Sequence, residues 1–367
     1  MGSTFTSHQR RSISSSAMEK NLMSGHALLD RVSEIPTVSL SALLDPGSLE
    51  MDVDASSESS SSSTNLLYEA VASIRHACLT VGFFYIKDHG VSDAVMQNAF
   101  DAIKKFFAQP TEEKRRLDAT QSPLYRGYNA IEDGKHNCKR TEGYRDAKES
   151  FVIGMTEQHG SSPMHGANQW PEENDELKSA IEPYFEAVRK SARAVARGLA
   201  MAIDLPENYF LERLREPVAQ MVMLRYQALH EVATNSEDKW LGCGPHTDCG
   251  FLTLLAQDSQ GLDVFTGGEW VCAPSKPGHL LVNLGDMAAY WSEKASVKLK
   301  STLHRVTNGS HARHSLVVFM NPDFEASMDI PDEHAGDSVE RKSSGEYRSA
   351  GHYLLSRLGL MWLDDKS

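Results

Sequence analysis

From Pro206 onward the apolar residues come in short runs, at 218–226, 251–256, 262–265, 280–284 and 315–320, with Gly, Pro, Asn and Asp between them. Runs of this length, broken by turn residues, suit strands and are too short for helices that must bury a face. Many such strands in succession indicate a sandwich or jelly roll. Before Pro206 the pattern is helical. Leu177, Ile181, Phe185, Val188, Val195, Leu199 and Ile203 recur at helical spacing on a helix that starts near Glu173. This stripe is core packing, and Pro183 is expected to kink or break the helix. Shorter helices are expected at 65–79 and 92–108, an early strand at 37–40 and a buried strand at 82–86. The fold class is mainly β with supporting helices.

Hydrophobic residues make up 40% of the 367, enough for a sizeable core. A net charge of -13 argues against nucleic acid as a general partner, because an acidic surface repels phosphate. No apolar run approaches the length of a membrane span. The five cysteines are odd in number and show no CxxC pair, which suits free thiols in a reducing, cytoplasmic compartment. Residues 1–34 form a Ser-rich tail with Arg10 and Arg11 and a first acid at Glu19. The tail is expected to be disordered; a transit peptide or a myristoylated Gly2 are its alternatives. The run from Ser56 to Ser63, broken only by Glu58, is expected to be a solvated insertion over 55–64. A monomer is expected.

The sharpest chemistry lies in Gly244-Pro245-His246-Thr247-Asp248. In a strand, positions i and i+2 share a face, so His246 and Asp248 would project together. A second histidine, His304, follows in Leu303-His304-Arg305-Val306. Two histidines and one carboxylate make the facial triad of non-haem Fe(II), which leaves positions open for a co-substrate and O2. His311 and His314 compete with His304 for the third place. His304 is preferred because it precedes a β-branched residue, and His314 alternates away from Arg313 and Ser315. A thiolate site through Cys243 and Cys249, which flank His246, is the softer alternative.

Arg313, Ser315, Val317 and Phe319 share one face of a single strand. A guanidinium fork with a hydroxyl beside it suits a carboxylate. Tyr226, at the end of the 218–226 run, offers another hydroxyl.

Together these residues resemble the isopenicillin N synthase-like group of 2-oxoglutarate/Fe(II)-dependent dioxygenases. The likeness runs from about Ile35 to near the end. It includes Ile35-Pro36, Val81-Gly82-Phe83-Phe84, His89-Gly90-Val91, Phe106-Phe107, Glu112-Glu113-Lys114, Arg126-Gly127-Tyr128, Glu149-Ser150-Phe151 and Asn283-Leu284-Gly285-Asp286. It departs at Gln227, where a proline often stands, and at 292–300, which lacks the usual Asn-Gly turn.

The resemblance implies a double-stranded β-helix, or jelly-roll, core at 211–325. A helical and strand region at 35–210 packs on it, and a C-terminal segment with a helix fills 326–367. It implies Fe(II) on His246, Asp248 and His304, and 2-oxoglutarate on Arg313, Ser315 and Tyr226. O2 is the second co-substrate and ascorbate a supporting reductant. A small-molecule substrate would be hydroxylated, desaturated, demethylated or cyclised, with release of succinate and CO2. Phe319, Tyr128 and Phe251 are expected to line its pocket, along with the region 125–151 and the helix at 347–360. One alternative is an Fe(II) oxidase of the same fold that spends the Arg-x-Ser pair on another carboxylate. Another is a non-catalytic small-molecule binder.

Overall fold

The short runs after Pro206 become strands, and their alternating side chains divide the interior into two apolar clusters. The computed structural model describes residues 34–44, 58–131, 144–156, 162–171, 176–232, 239–331 and 347–359. The expected tail (apart from Glu34), residues 55–57 of the expected insertion and the chain after Gly359 lie outside them.

In chain order, β1 (Thr37–Ser39) leads to α1 (Ser41–Leu44), and α2 (Glu58–Thr80) leads to β2 (Phe83–Lys87). Next come α3 (Asp93–Phe107), α4 (Thr111–Arg115), β3 (Gly127–Asn129), β4 (Tyr144–Asp146) and β5 (Lys148–Gly154). The long α5 (Glu176–Ala202) precedes β6 (Pro217–Tyr226), β7 (Lys239–Leu241), β8 (Cys243–His246) and β9 (Leu252–Gln257). Then follow β10 (Leu262–Thr266), β11 (Glu269–Cys272) and β12 (Leu280–Leu284). The last elements are α6 (Asp286–Ser292), β13 (His304–Val306), β14 (Arg313–Asp323) and α7 (Ala350–Leu358).

Local chemistry sets the helix ends. The Ser92 hydroxyl accepts the Val95 N–H and caps α3, Asp93 sits in its first turn, and Lys104 and Lys105 sit in its last. Two expectations change. α5 runs unbroken through Pro183. Proline there removes one backbone hydrogen bond, while Ile181, Tyr184, Phe185 and Val188 are buried on both sides of it and hold the helix together. α2 begins at Glu58, so the serines from 59 to 63 are helical rather than an insertion. Extending a helix already nucleated by a packed stretch costs little per residue.

An eight-stranded sheet has the order β1-β2-β12-β9-β14-β6-β5-β3, and a four-stranded sheet the order β11-β10-β13-β8. Apart from the parallel β1–β2 edge, the large sheet pairs antiparallel. This is the strand-rich jelly-roll core expected. Side chains on one face of the large sheet, such as Leu316, Val318, Met221, Met223 and Leu254, join the helices in the larger cluster. The opposite face, with Val317, Leu224, Tyr226, Leu255 and Phe83, meets Leu262, Val264 and Val306 of the small sheet. This second space lies inside the jelly roll.

Packing corrects two pocket assignments. Tyr128 pairs with Phe151 and turns toward the helices, where its hydroxyl donates to Glu149 at 2.6 Å. Phe251 is fully buried against Phe210 and Trp291 in the same helical layer. Neither faces the inside of the jelly roll. Phe319 does, packed against the inner cluster.

Phe251→Ala should therefore behave as a core truncation, costing about 3–5 kcal/mol in urea unfolding. A cost under about 1 kcal/mol, the scale of an ordinary partly exposed site, would return Phe251 to the pocket.

Candidate metal centre

β13 pairs antiparallel with β8 so that His304 stands opposite His246, with ring centroids 4.2 Å apart. β8 ends at His246, and Asp248 belongs to the loop that follows. His246 and Asp248 therefore do not share a strand as expected; a tight loop turns Asp248 toward both rings. Gly250 and Gly285 make that loop possible. A Cβ on Gly285 would stand 2.1 Å from the Gly250 carbonyl oxygen, and one on Gly250 would stand 2.3 Å from the Asn321 carboxamide. With both absent, Asp286 N–H donates to the Asp248 carbonyl at 2.7 Å and locks the loop on the start of α6.

Each ligand candidate presents one atom. The His246 Nδ1 lies 2.8 Å from the Gly244 carbonyl and the His304 Nδ1 3.0 Å from the Thr302 carbonyl. Those contacts place the proton on Nδ1 and leave the Nε2 lone pair free. Both Nε2 atoms approach the same oxygen, Asp248 Oδ1, at 3.9 and 3.8 Å. The other oxygen, Oδ2, accepts from Thr253 Oγ1 and Asn283 Nδ2, each at 2.7 Å. The three candidate atoms lie within 4.8 Å of one another. Burial, with His246 alongside, pushes His304 down to about 4, so it is a neutral donor near neutral pH. Burial alone would raise the Asp248 carboxyl; His304, His246, Asn283 and Thr253 outweigh it and hold it below the usual range. Burial alone would lower His246; the neighbouring Cys243 thiol, with Asp248, outweighs it and pushes His246 up to about 9, so a metal would have to displace the proton from its Nε2. Two imidazole nitrogens and one carboxylate oxygen on one side fit a facially held non-haem iron.

The competing histidines stand elsewhere. His314 faces the helical side and pairs with Asp258 at 3.1 Å, and His311 is exposed. The thiolate alternative is not assembled either. Cys243 Sγ approaches the back of His246, 3.6 Å from Nδ1, and takes a hydrogen bond from Lys148 at 2.9 Å.

The anchor residues stand together on the inner face. Arg313 is the cross-strand partner of Tyr226, with its guanidinium carbon 4.7 Å from the centre of that ring. Arg313 Nη2 donates to Gln257 Oε1 at 2.6 Å and Nε to the Ser259 carbonyl at 3.2 Å. Arg313 Nη1 and Ser315 Oγ are buried and find no protein partner among the described residues. Buried donors left so are rare, and two on one strand face mark a place for an acceptor from outside.

Four residues of this arrangement escaped the sequence reading: Thr253, Asn283, Gln257 and Ser259. Asn283 was visible only as part of a turn motif. The others carry no local signal, since their contacts arise from pairing between distant strands.

Family models match in two places. Residues 51–173 match the N-terminal region of non-haem dioxygenases in morphine synthesis, and residues 218–322 match the 2OG-Fe(II) oxygenase superfamily. A homoarginine-6-hydroxylase from Glycine max is 32% identical over 306 residues, covering 81% of this chain and 90% of that protein. The 2-oxoglutarate-dependent dioxygenase caaD of Aspergillus niger is 32% identical over 319 residues, covering 84% and 90%. Among solved structures, a full-length Neurospora crassa protein in complex with alpha-KG aligns with a TM-score of 0.71 at 28% identity, covering 89% of this chain and 96% of that one. The complex of the same protein with alpha-KG and thymine aligns at 0.70 and 27% identity, covering 89% and 97%.

Asn283→Ala removes one of the two donors that fix Asp248. Loss of such an outer contact should weaken Fe(II) binding about 10- to 100-fold in anaerobic titration. Unchanged affinity would show that Thr253 alone orients the carboxylate.

Proposed function

The chain belongs to the 2OG-Fe(II) oxygenase superfamily and is a 2-oxoglutarate-dependent dioxygenase, and on that premise we propose which residues do its work. His246 Nε2, Asp248 Oδ1 and His304 Nε2 hold Fe(II). Arg313 Nη1 and Ser315 Oγ take the distal carboxylate of 2-oxoglutarate, with Tyr226 beside them. The observation that carries this is the pair of buried donors without a protein partner among the described residues, on the strand that crosses the interior of the jelly roll.

Bound iron supplies open coordination positions for the 2-oxo acid and O2, and the redox chemistry that ends in succinate, CO2 and an oxidised substrate. The chain does the rest. Gln257 and Ser259 hold the Arg313 fork in place before the co-substrate arrives. Thr253 and Asn283 keep Oδ2 of Asp248 occupied, so Oδ1 alone is offered. The apolar inner face formed by Leu224, Leu255 and Val317 keeps water away from the co-substrate.

A monomer is proposed as the working unit. The cysteine pattern supports a reducing, cytoplasmic setting. Among the described residues no helix is long and apolar enough to cross a membrane. The substrate does not follow from the class. The names of similar proteins carry homoarginine in one case and thymine in another, a cationic amino acid and an uncharged pyrimidine.

Anaerobically prepared protein given Fe(II), ascorbate and 2-oxoglutarate should form succinate once O2 is admitted. His246→Ala should abolish Fe(II) binding, and retained binding would refute the ligand assignment. Arg313→Leu should raise the KM for 2-oxoglutarate about 30-fold or more with iron still bound, as expected when a buried charge partner is lost. A KM within twofold would move the anchor elsewhere.

A further inference from the structure

Strands in the middle of a two-sheet fold bury both faces, unless one sheet leaves the other uncovered. Along β5, Glu149, Phe151 and Ile153 are buried on the helical side, while Ser150 and Val152 are half-buried on the inner side. β6 repeats this, with Met221 and Met223 buried and Gln220 and Val222 half-buried. On β14 Phe319 is half-buried between the buried Val318 and Met320, and on β3 Asn129 is half-buried beside the buried Tyr128. The inward, half-covered positions adjoin one another through the register. Asn129 pairs with Ser150, Val152 with Val222, and Gln220 with Phe319. The patch ends at Phe319, which pairs with Thr253, whose hydroxyl holds Asp248. The small sheet's last strand stops at His246. The uncovered patch is therefore the wall of the space in front of the metal ligands.

Its chemistry is uncharged. None of the inward positions on β3, on β5 beyond Lys148, on β6, or on β14 between Ser315 and Phe319 is a carboxylate or an unengaged cation. Lys148 is committed to Asp146 at 3.2 Å and Cys243 at 2.9 Å. An ionic substrate group placed against this wall would lose water without gaining a counter-charge, which is costly. The polar groups that remain are amides and a hydroxyl. Asn129 Nδ2 already lies 3.3 Å from Ser150 Oγ. The Gln220 side chain, in the row that leads to Asp248, forms no hydrogen bond among the described residues and offers one acceptor and two donors from a single plane. Val152, Val222 and Phe319 supply a flat apolar surround.

We infer that the substrate is an uncharged small molecule presenting an N–H donor and a carbonyl acceptor on one edge, and that Gln220 reads that edge. The inference rests on the assignment of iron to His246, Asp248 and His304. Recognition of a donor–acceptor edge by one carboxamide selects amides, lactams, imides and similar heterocycles. It rejects cations and second carboxylates by leaving their charge unmatched.

The test measures succinate formed by the full chain with Fe(II), 2-oxoglutarate and O2, with and without candidate prime substrates. Uracil, thymine and 2-pyrrolidinone stand for the uncharged class, homoarginine for cations and phenylacetate for anions. At least one uncharged compound should raise succinate formation above the level without prime substrate, and neither charged one should. Gln220→Leu should raise the KM of the stimulating compound about tenfold or more. Its thermal unfolding midpoint is measured alongside. If that falls, Gln220→Glu, of nearly the same size, carries the test and should raise the KM similarly. Stimulation by a charged compound, none by any uncharged one, or a KM within twofold in a folded variant overturns the inference. Fe(II) binding by the unaltered protein and by His246→Ala checks the iron assignment separately. If the variant binds Fe(II) as tightly as the unaltered protein, that assignment fails and the inference goes with it.

Discussion

The Asp248 carboxylate is the constraint around which the remainder is arranged. A buried anion is tolerated only with its lone pairs engaged and opposite charge or donors close by. Here one oxygen is engaged by Thr253 and Asn283, and the other faces two imidazole nitrogens. Each of these four partners comes from a different piece of chain: β9, β12, β8 and β13. The carboxylate can be satisfied only when both sheets have formed and closed on one another. Metal site and fold are thus one problem with one solution.

That solution explains what could be read from the residues and what could not. His246, Asp248 and His304 were legible because metal ligation demands particular side chains at particular spacings, and few alternatives in the chain meet both. Arg313 and Ser315 were legible because period-two alternation places them on one face whatever the rest of the fold does. Thr253 and Asn283 were not. They lie opposite one another only because β9 and β12 pair in one register, with Thr253 against Asn283. Tyr128 went astray for the same reason, and Phe251 because it stands in the bend before β9, where the strand's alternation does not apply. A shift of one residue in register exchanges the two faces of a strand, and nothing in a local window says which face meets the helices. The unbroken α5 is a related case. Proline disfavours a helix locally, but a stripe of buried side chains on both sides of Pro183 outweighs it.

Gln227 shows how a departure from a family pattern acquires meaning in three dimensions. A proline at this position would have no N–H. Gln227 has one, and it donates to the Ala147 carbonyl at 2.9 Å, while its own carbonyl accepts from Asn308 at 2.7 Å. The pairing of β5 with β6 is thereby continued past Tyr226, up to the segment that brings Asp146 and Lys148 beside Cys243. The inner wall and the strand bearing His246 are tied together at the end where the co-substrate's far carboxylate is proposed to sit.

Arg313, in its proposed role of holding the co-substrate, has a consequence beyond recognition. Two of its three nitrogens are held by Gln257 and the Ser259 carbonyl before any ligand arrives. The rotamer freedom of a long side chain is therefore surrendered when the protein folds, not when the co-substrate binds. The remaining nitrogen is then a buried donor whose lost hydration is compensated only in the complex. Folding and co-substrate binding are linked equilibria in such a protein, and a free dicarboxylate stabilises the native state by mass action. Bound 2-oxoglutarate would in this way raise the chain's resistance to unfolding as well as feed its turnover.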